Sequence, residues 1–273
     1  MFSNIYVALP VSALAWITFL VFNQEVNFQI LLFIYCSTFI IYNVHRLVGI
    51  NKVEEKHLSP RHIWAKKYRV VLISGIAIGA SVMLYLLFQF EVSFIYTLIP
   101  SSLIAIGYSI PLYKKNGKFW RLRDVPFAKV FLIGITVSYV TTYLPVYDFF
   151  ISDPSNLLLF GFFCARAFFI LAITIPFDIR DYDFDEPSTI NTLPLVFGID
   201  KARTISLYAL AFFAGMSFYL FQTNAFLSLA FLISAMVTAW IVSYAQKKST
   251  EYYFSFVVEG TMLIQFGLVY LLY

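Results

Sequence analysis

Charged residues are scarce in this sequence. Asp, Glu, Lys and Arg make up 12% of its 273 residues, about half of the roughly 25% that is typical of soluble globular domains. Hydrophobic residues make up 60%, and the mean hydropathy is +0.79. The chain has too few polar side chains to cover a surface in water. This shortage excludes a soluble enzyme and a disordered chain, and it predicts a protein that lies mostly in lipid.

Cysteine and histidine are scarce as well. The two cysteines, Cys36 and Cys164, lie inside apolar runs, where cysteine behaves as a small hydrophobic residue. The three histidines do not form a spaced ligand set. These shortages exclude a disulfide-stapled secreted domain and a zinc finger protein.

Long apolar stretches dominate what is present. A helix needs about 20 apolar residues to cross the hydrocarbon core of a bilayer, and nine stretches come close to that length. The sequence therefore predicts an all-α fold, a polytopic membrane bundle of nine transmembrane helices forming a single domain over residues 1–273. The predicted spans are 5–22, 28–48, 68–90, 92–110, 126–146, 157–175, 204–221, 225–244 and 254–272.

The basic residues predict how the chain is oriented. Segments 46–69, 114–129, 180–203 and 247–248 hold seven, six, three and two Lys or Arg residues, and the other connections hold none. By the positive-inside rule these four segments and the N-terminus are cytoplasmic and the C-terminus is outside, with the plasma (inner) membrane as the expected location. Basic loops beside a membrane indicate topology and contact with membrane lipids, so no nucleic-acid partner is expected.

The densest polar feature is an acidic run over residues 176–186, directly after the sixth span. Asp178, Asp181 and Asp185 are spaced i, i+3 and i+7, which places the three carboxylates on one face of a continuous helix. Converging carboxylates repel one another unless a cation is present. Mg²⁺ prefers such hard oxygen ligands and completes its shell with waters and substrate phosphates. The alternative is that the run is only a solvated helix end with acidic residues.

This run resembles the second aspartate-rich motif of the UbiA-type intramembrane prenyltransferases. The motif residues are Asp178, Asp181 and Asp185, followed by Thr192-Leu193-Pro194 and Gly198. A second stretch is similar to the family's loop after the fourth helix, and its residues are Tyr108-Ser109-Ile110-Pro111-Leu112-Tyr113-Lys114-Lys115, Leu122-Arg123-Asp124-Val125-Pro126 and Lys129. The resemblance extends over essentially the whole chain.

The resemblance implies transfer of a prenyl group from an isoprenyl diphosphate to an aromatic or lipophilic acceptor within the membrane. Mg²⁺ would be the cofactor, with Asp178, Asp181 and Asp185 as its ligands and Asp181 as a catalytic residue. Ionisation of the diphosphate requires positive charge around the leaving group. Basic side chains of the two facing loops would supply it, namely Lys114, Lys115, Arg121, Arg123 and Arg180.

The family's first motif is only partly present. Asn43 matches it, but its two aspartate positions hold Leu47 and Asn51. Arg46 lies three residues after Asn43, on about the same helix face, and a guanidinium can bind phosphate through two hydrogen bonds. Arg46 and Asn43 are therefore expected to be catalytic, with Arg46 on the diphosphate. The alternative is that Arg46 only ends a transmembrane helix at the cytoplasmic interface.

Two charged residues lie inside predicted spans. Arg166 in the sixth span and Glu259 in the ninth are costly in hydrocarbon, and such residues usually point inward and pair. Arg166 lies about three turns deeper than Asp178, where it would bind a carboxylate of the acceptor or brace the bundle. Glu259 is close enough to the inner end of its helix to reach the interface.

Two other functions remain open at this stage. Loss of the first-motif carboxylates is compatible with a catalytically lapsed or altered relative that binds isoprenoids. Many helices with buried charges are also found in secondary transporters, although the polar clusters here lie in loops. The acceptor, the prenyl chain length and the oligomeric state do not follow from the sequence.

Overall fold

Helices form almost all of the structure, a computed structural model that describes residues 4–50, 60–110, 113–115, 118–153, 156–186 and 191–272. The first half of the chain contains, in order, α1 (Ile5–Val21), α2 (Phe28–Ile50), α3 (Pro60–Lys67), α4 (Arg69–Leu87), α5 (Val92–Ser109), β1 (Tyr113–Lys115), β2 (Lys118–Trp120) and α6 (Ala128–Tyr143). The second half contains α7 (Tyr147–Ser152), α8 (Leu157–Arg180), α9 (Tyr182–Asp185), α10 (Leu193–Phe197), α11 (Ile199–Leu220), α12 (Ala225–Ser243) and α13 (Glu259–Leu272).

Each of the nine predicted apolar stretches overlaps one of these helices. Seven segments are long and apolar enough to cross a membrane, the last of them running from Tyr253 through α13. The helices α1 and α6, with 17 and 16 residues, are shorter apolar helices at the first and fifth predicted positions. The prediction of a polytopic, all-α membrane bundle is confirmed, whereas the count of nine complete spans is not established by helix length.

The helix α8 lies at the centre of the bundle. It packs against α6 and α11, and α1 packs against α2 and α13. The largest cluster of buried apolar side chains joins α1, α8, α11, α12 and α13 through residues such as Phe162, Phe169, Phe213 and Phe231. A second cluster joins α1, α2, α4 and α5 around Phe33 and Phe94. The chemistry described below lies where these two halves meet.

Polar contacts between helix ends collect at one end of the bundle. Asn4, just before α1, donates from its side-chain amide to the side-chain Oδ1 of Asn43, near the end of α2, at 3.0 Å. The Oγ of Ser109, at the end of α5, lies 3.3 Å from Nε2 of His45 on α2. The start of α6 meets the end of α8 at this same level. Lys129 and Arg180, from two of the predicted basic segments, lie at this end.

Three local features differ from the expectations. The loop after α5 forms a two-stranded antiparallel hairpin in which Tyr113 pairs with Trp120. The helix α8 continues to Arg180, five residues beyond the predicted span, but it stops before Asp181. A π-helical segment over Tyr253–Val258 precedes α13, so the last span is not one regular α-helix.

Candidate functional site

Asp178 anchors the candidate site in the last turn of α8. The residue is only 1% exposed, and its Oδ1 lies 2.7 Å from Nζ of Lys129 in the first turn of α6. The same Nζ lies 3.6 Å from Oδ2 of Asp185 at the end of α9. One ammonium therefore sits between two carboxylates that are seven residues apart in sequence.

Asp181 has a different partner. Arg180 donates from Nε to Oδ1 of Asp181 at 2.8 Å and from Nη2 to Oδ2 at 2.9 Å. The guanidinium lies 5.0 Å from the centre of the Phe177 ring, a favourable position for a cation over an aromatic face. Its Nη1 lies 3.6 Å from Oε2 of Glu251.

Asp181 is the residue between α8 and α9, with φ −86° and ψ 6°. Its carboxylate pairs with Arg180, whereas the carboxylates of Asp178 and Asp185 pair with Lys129. Among the described residues, no group of three or more His, Cys, Asp or Glu side chains is arranged to hold a metal ion. That Asp178, Asp181 and Asp185 together bind the metal stays a prediction.

The pair formed by Asp178 and Asp185 nevertheless fits a divalent cation. Both carboxylates already face one cation, Lys129, and Mg²⁺ usually takes only one or two protein carboxylates and leaves its other positions to waters and phosphates. Burial raises the pKa of the Asp185 carboxyl, the Lys129 ammonium opposes this shift, and the charges of Asp181 and Asp178 add to it. Each carboxylate has two oxygens, so a Mg²⁺ ion would bind the oxygens that do not face Lys129.

A cavity of about 190 Å³ opens beside these groups, and we call it the acidic cavity. Its charged lining comes from α6, α8, α13 and Asp181, the residue that follows α8. Apolar side chains of α1, α6, α8 and α13 complete the wall. The polar lining residues are Tyr42, Lys129, Thr174, Asp178, Arg180, Asp181 and Glu259.

A second cavity of about 230 Å³ adjoins the first and is lined mainly by aliphatic side chains. We call it the apolar cavity. Val11, Tyr42, Ile133 and Val137 line both cavities, so the two spaces share a wall. The polar side chains at one end of the apolar cavity are Tyr42, His45, Tyr108 and Arg123.

The short 3₁₀ turn Leu122–Asp124 positions Arg123 at that end. Arg121 donates to Asp124 from its backbone nitrogen and from its guanidinium, at 2.9–3.0 Å, which fixes the turn. Burial disfavours the charged form of Asp124, but the hydrogen bonds from Arg121 outweigh it and lower the pKa of that carboxyl. The Arg123 guanidinium then lies 5.1 Å from the centre of the Tyr108 ring.

Four other predicted site residues lie on α2 and β1, namely Arg46, Asn43, Lys114 and Lys115. Arg46 lies in the last turns of α2 and is half-buried, and its charge acts on Glu259 at the acidic cavity. Asn43 is fully buried and lines neither cavity, because its amide donates to the Phe39 carbonyl oxygen and accepts from Asn4. Lys114 and Lys115 belong to β1, but their side chains lie outside the described part of the structure.

Arg166 is not brought to either of these two cavities. Its side chain is 2% exposed, and its Nη1 donates to the Thr18 hydroxyl and the Thr141 carbonyl oxygen at 2.6 Å. The guanidinium also lies 4.3 Å from the centre of the Phe162 ring. Of the two roles expected from the sequence, these contacts match bracing of α1, α6 and α8.

Replacing Arg166 by methionine tests this bracing role. Loss of the contacts to Thr18 and Thr141 is expected to lower the free energy of unfolding by at least about 1.5–3 kcal/mol, the usual value of one hydrogen bond to a charged group. Thermal unfolding of purified protein in detergent measures the effect. A wild-type melting temperature combined with weaker acceptor binding would instead support the acceptor-binding role.

Three side chains of the acidic cavity were not assigned from the sequence. Lys129 belongs to a recognised loop pattern, and a lysine inside an apolar span must find a charged partner, but the sequence does not say which one. Glu259 carried the same signal. Tyr42 gave none, since a tyrosine beside Asn43 is indistinguishable from an ordinary packing residue.

Solved structures share the whole fold. The chain matches an apo UbiA homolog from Aeropyrum pernix K1 with a TM-score of 0.68 and 14% identity, over 99% of this chain and 98% of that one. It matches a UbiA homolog from Archaeoglobus fulgidus bound to DMAPP and Mg²⁺ (TM-score 0.61, 11% identity, 99% and 94% covered). The same homolog bound to GPP and Mg²⁺ gives a TM-score of 0.58 at 12% identity, again over 99% and 94%.

These likenesses confirm the UbiA-type resemblance at the level of the fold. No protein-family model matches the sequence, and no curated protein matches it either. The relationship is therefore visible in three dimensions and in the aspartate motif, but not in overall sequence identity.

Proposed function

We propose that this chain, which has the fold of the UbiA homologs, is an intramembrane prenyltransferase that moves a prenyl group from an isoprenyl diphosphate to an aromatic or lipophilic acceptor. The observation that carries the proposal is the pair of adjoining cavities. One is lined by charged side chains, among them those of the motif residues Asp178 and Asp181, and the other is lined mainly by aliphatic side chains. Such a pair suits a substrate with an anionic head and a hydrocarbon tail. The fold's ligand-bound relatives hold GPP or DMAPP with Mg²⁺.

Two kinds of group would hold the diphosphate. Asp178 and Asp185 would bind Mg²⁺, which when bound neutralises charge on the leaving diphosphate. Arg180, Arg123 and Arg46, together with Lys114 and Lys115, would contact the diphosphate oxygens directly. In the reaction the allylic C–O bond breaks, the diphosphate leaves, a bond forms to the acceptor, and the acceptor loses a proton.

The apolar cavity would exclude water from the reacting carbon. Its aliphatic walls suit a prenyl tail, and the phenol rings of Tyr42 and Tyr108 lie at the end nearest the charged groups. Aromatic faces stabilise nearby positive charge through their quadrupoles. Tyr42, which lines both cavities, is the side chain placed where tail and diphosphate would join.

The charged end of the bundle would face the cytoplasm, and the plasma membrane is the proposed location. Lys129, Arg180 and Lys247, from three of the predicted basic segments, pair with the neighbouring residues Asp178, Asp181 and Asp183. A transporter is less well supported, because the charged residues cluster at one end of the helices rather than at their middle.

A lapsed, isoprenoid-binding relative is the second candidate. Leu47 stands where the family has a first-motif aspartate, and Lys129 and Arg180 already neutralise the second-motif carboxylates. Such a protein would bind an isoprenyl diphosphate without converting it. Binding and turnover must therefore be measured separately.

The decisive assay uses purified protein in lipid nanodiscs, labelled GPP or DMAPP and a lipid extract, with and without Mg²⁺. A Mg²⁺-dependent prenylated product identified by mass spectrometry is expected. Asp178→Asn should reduce its rate by about 10²- to 10³-fold, because a group that stabilises the developing charge is lost. Asp200→Asn, a 94% exposed carboxylate near the same end, is the matched control and should leave the rate unchanged.

The outcomes separate the two candidates. Tight binding of the labelled diphosphate without any product would favour the lapsed relative. Absence of both binding and product would contradict the proposed function.

A further inference from the structure

Glu259 is a buried carboxylate in the last membrane-spanning segment, and it faces the acidic cavity. The residue is 7% exposed and lines this cavity together with Asp178 and Asp181. A carboxylate at such a position is costly in a membrane protein, and side chains of this kind usually serve a function. Glu259 comes from α13, far from both aspartate motifs in sequence, and the proposed function assigns it no role.

The backbone before Glu259 is specialised. The π-helical segment Tyr253–Val258 ends immediately before it, and short π segments inside helices are frequently found at functional sites. Tyr6 of α1 donates to the Phe256 carbonyl oxygen at 3.2 Å. A Cβ added at Gly260 would lie 3.0 Å from the Tyr6 hydroxyl. Close packing of α1 against this segment therefore fixes where Glu259 sits.

Glu259 differs from the other carboxylates of the cavity in its contacts. Asp178 faces Lys129, and both oxygens of Asp181 accept from Arg180. The buried Oε2 of Glu259 accepts no hydrogen bond, as is also true of Asp178 Oδ1. Unlike Asp178, which pairs with Lys129, Glu259 forms no ion pair with any of the described basic side chains. A buried polar atom of this kind indicates a missing partner, such as an ion.

The charge of the cavity indicates which partner is missing. Three carboxylates and two basic side chains line it, which leaves one formal negative charge among the lining residues, and the charge of Arg46 acts on Glu259 from outside the lining. Asp178 and Asp181 are already paired, so the free oxygen belongs to the wall formed by α13. On α2 the family's first-motif carboxylate is replaced by Leu47. A divalent cation needs hard oxygen ligands, and Glu259 provides one that α2 does not.

We infer that Glu259 is a ligand of a divalent cation that accompanies the diphosphate, and that it takes over from the absent first-motif aspartates. The inference rests on the proposed function, because the diphosphate supplies the remaining oxygen ligands. It means that the metal site is completed from the last span rather than from the second.

Binding of Mn²⁺ in the presence of the non-ionising analogue geranyl thiolodiphosphate tests the inference without turnover. Electron paramagnetic resonance of free Mn²⁺ gives its affinity for the protein in nanodiscs. Loss of even an outer-shell partner weakens metal binding by about 10- to 100-fold, and Glu259→Gln should weaken Mn²⁺ binding by at least that much. Glu259→Asp keeps a carboxylate on a shorter side chain, and its Mn²⁺ affinity should lie between those of wild type and Glu259→Gln.

Glu251→Gln is the matched control. Glu251 also lies near Arg180, with its Oε2 3.6 Å from Nη1, but it does not line the cavity. Its replacement should leave Mn²⁺ affinity within about twofold of wild type. If Glu259→Gln or, should that variant not fold, Glu259→Asp bound Mn²⁺ like wild type, Glu259 would be only a counter-charge for arginine and the inference would be wrong.

The same experiment distinguishes this inference from the proposed function. If wild-type protein binds the analogue with Mn²⁺ and the Glu259 variants do so equally well, only the role of Glu259 fails. If the wild-type protein binds no analogue at all, both fail together.

Discussion

Replacing Lys129 by methionine is expected to destabilise the protein strongly. The substitution keeps most of the side-chain volume but leaves the Asp178 carboxylate, which is almost fully buried, without the ammonium 2.7 Å away. Breaking a buried ion pair by removing one partner typically costs about 3–5 kcal/mol, because an uncompensated charge remains. Thermal or denaturant unfolding in detergent should show this loss directly.

Two further variants test whether the loss of stability comes from the unpaired Asp178 carboxylate. Lys129→Met combined with Asp178→Asn removes both charges and should recover much of the lost stability, since a neutral pair avoids the isolated charge. Lys247→Met is the exposed counterpart. Lys247 pairs with Asp183 at the surface, where ion pairs contribute little to stability. The melting temperature of Lys247→Met should therefore stay near that of wild type. A wild-type melting temperature for Lys129→Met alone would contradict the pairing.

Replacing Arg46 by alanine is expected to have the largest effect on turnover among the basic side chains. Arg46 lies near the end of α2, and its charge acts on Glu259 at the acidic cavity. The family's aspartate positions on this helix hold Leu47 and Asn51, so a cation stands where metal ligands are absent. A guanidinium binds phosphate without a metal.

Losing such a contact to the developing diphosphate should cost about 2–4 kcal/mol, or about 10²- to 10³-fold in kcat/KM. Steady-state kinetics with GPP, with the Mg²⁺ concentration varied, measure the loss. Arg46→Lys keeps the charge but not the forked geometry and should be intermediate. Lys201→Ala, an exposed side chain at the start of α11, is the control and should behave as wild type.

The contrary result would also be informative. If Arg46→Ala kept wild-type diphosphate binding and rate, Arg46 would only anchor the helix end at the interface. The lapsed-relative interpretation would then gain support, because nothing would replace the absent first-motif carboxylates.

The positions of the spans follow from sequence because lipid leaves few alternatives. A backbone in hydrocarbon must satisfy its own hydrogen bonds, so an apolar run of sufficient length forms a helix whatever its neighbours are. The predicted starts at residues 5, 28, 92, 157 and 225 coincide with the observed helix starts. Ends are predicted less well where polar residues continue a helix, as Asp178 and Arg180 do in α8.

Local spacing was a weaker guide to the acidic site. The i, i+3, i+7 pattern places three aspartates on one face only if one helix carries them all. In the structure Asp181 lies between α8 and α9 and its carboxylate pairs with Arg180, whereas the carboxylates of Asp178 and Asp185 pair with Lys129. Whether a helix continues through charged residues depends on their partners, which a single-helix pattern does not contain.

The sequence by itself determined the membrane-spanning, all-helical class and the aspartate motif, since each depends on composition and spacing along the chain. Only the tertiary structure decided which charges meet. Lys129 faces Asp178 across 49 residues, Asn43 is held by Asn4, and Glu259 reaches the same cavity from the last span. Buried charges take whichever partner the packing brings within a few ångströms, and that distance is fixed by how the helices pack against one another.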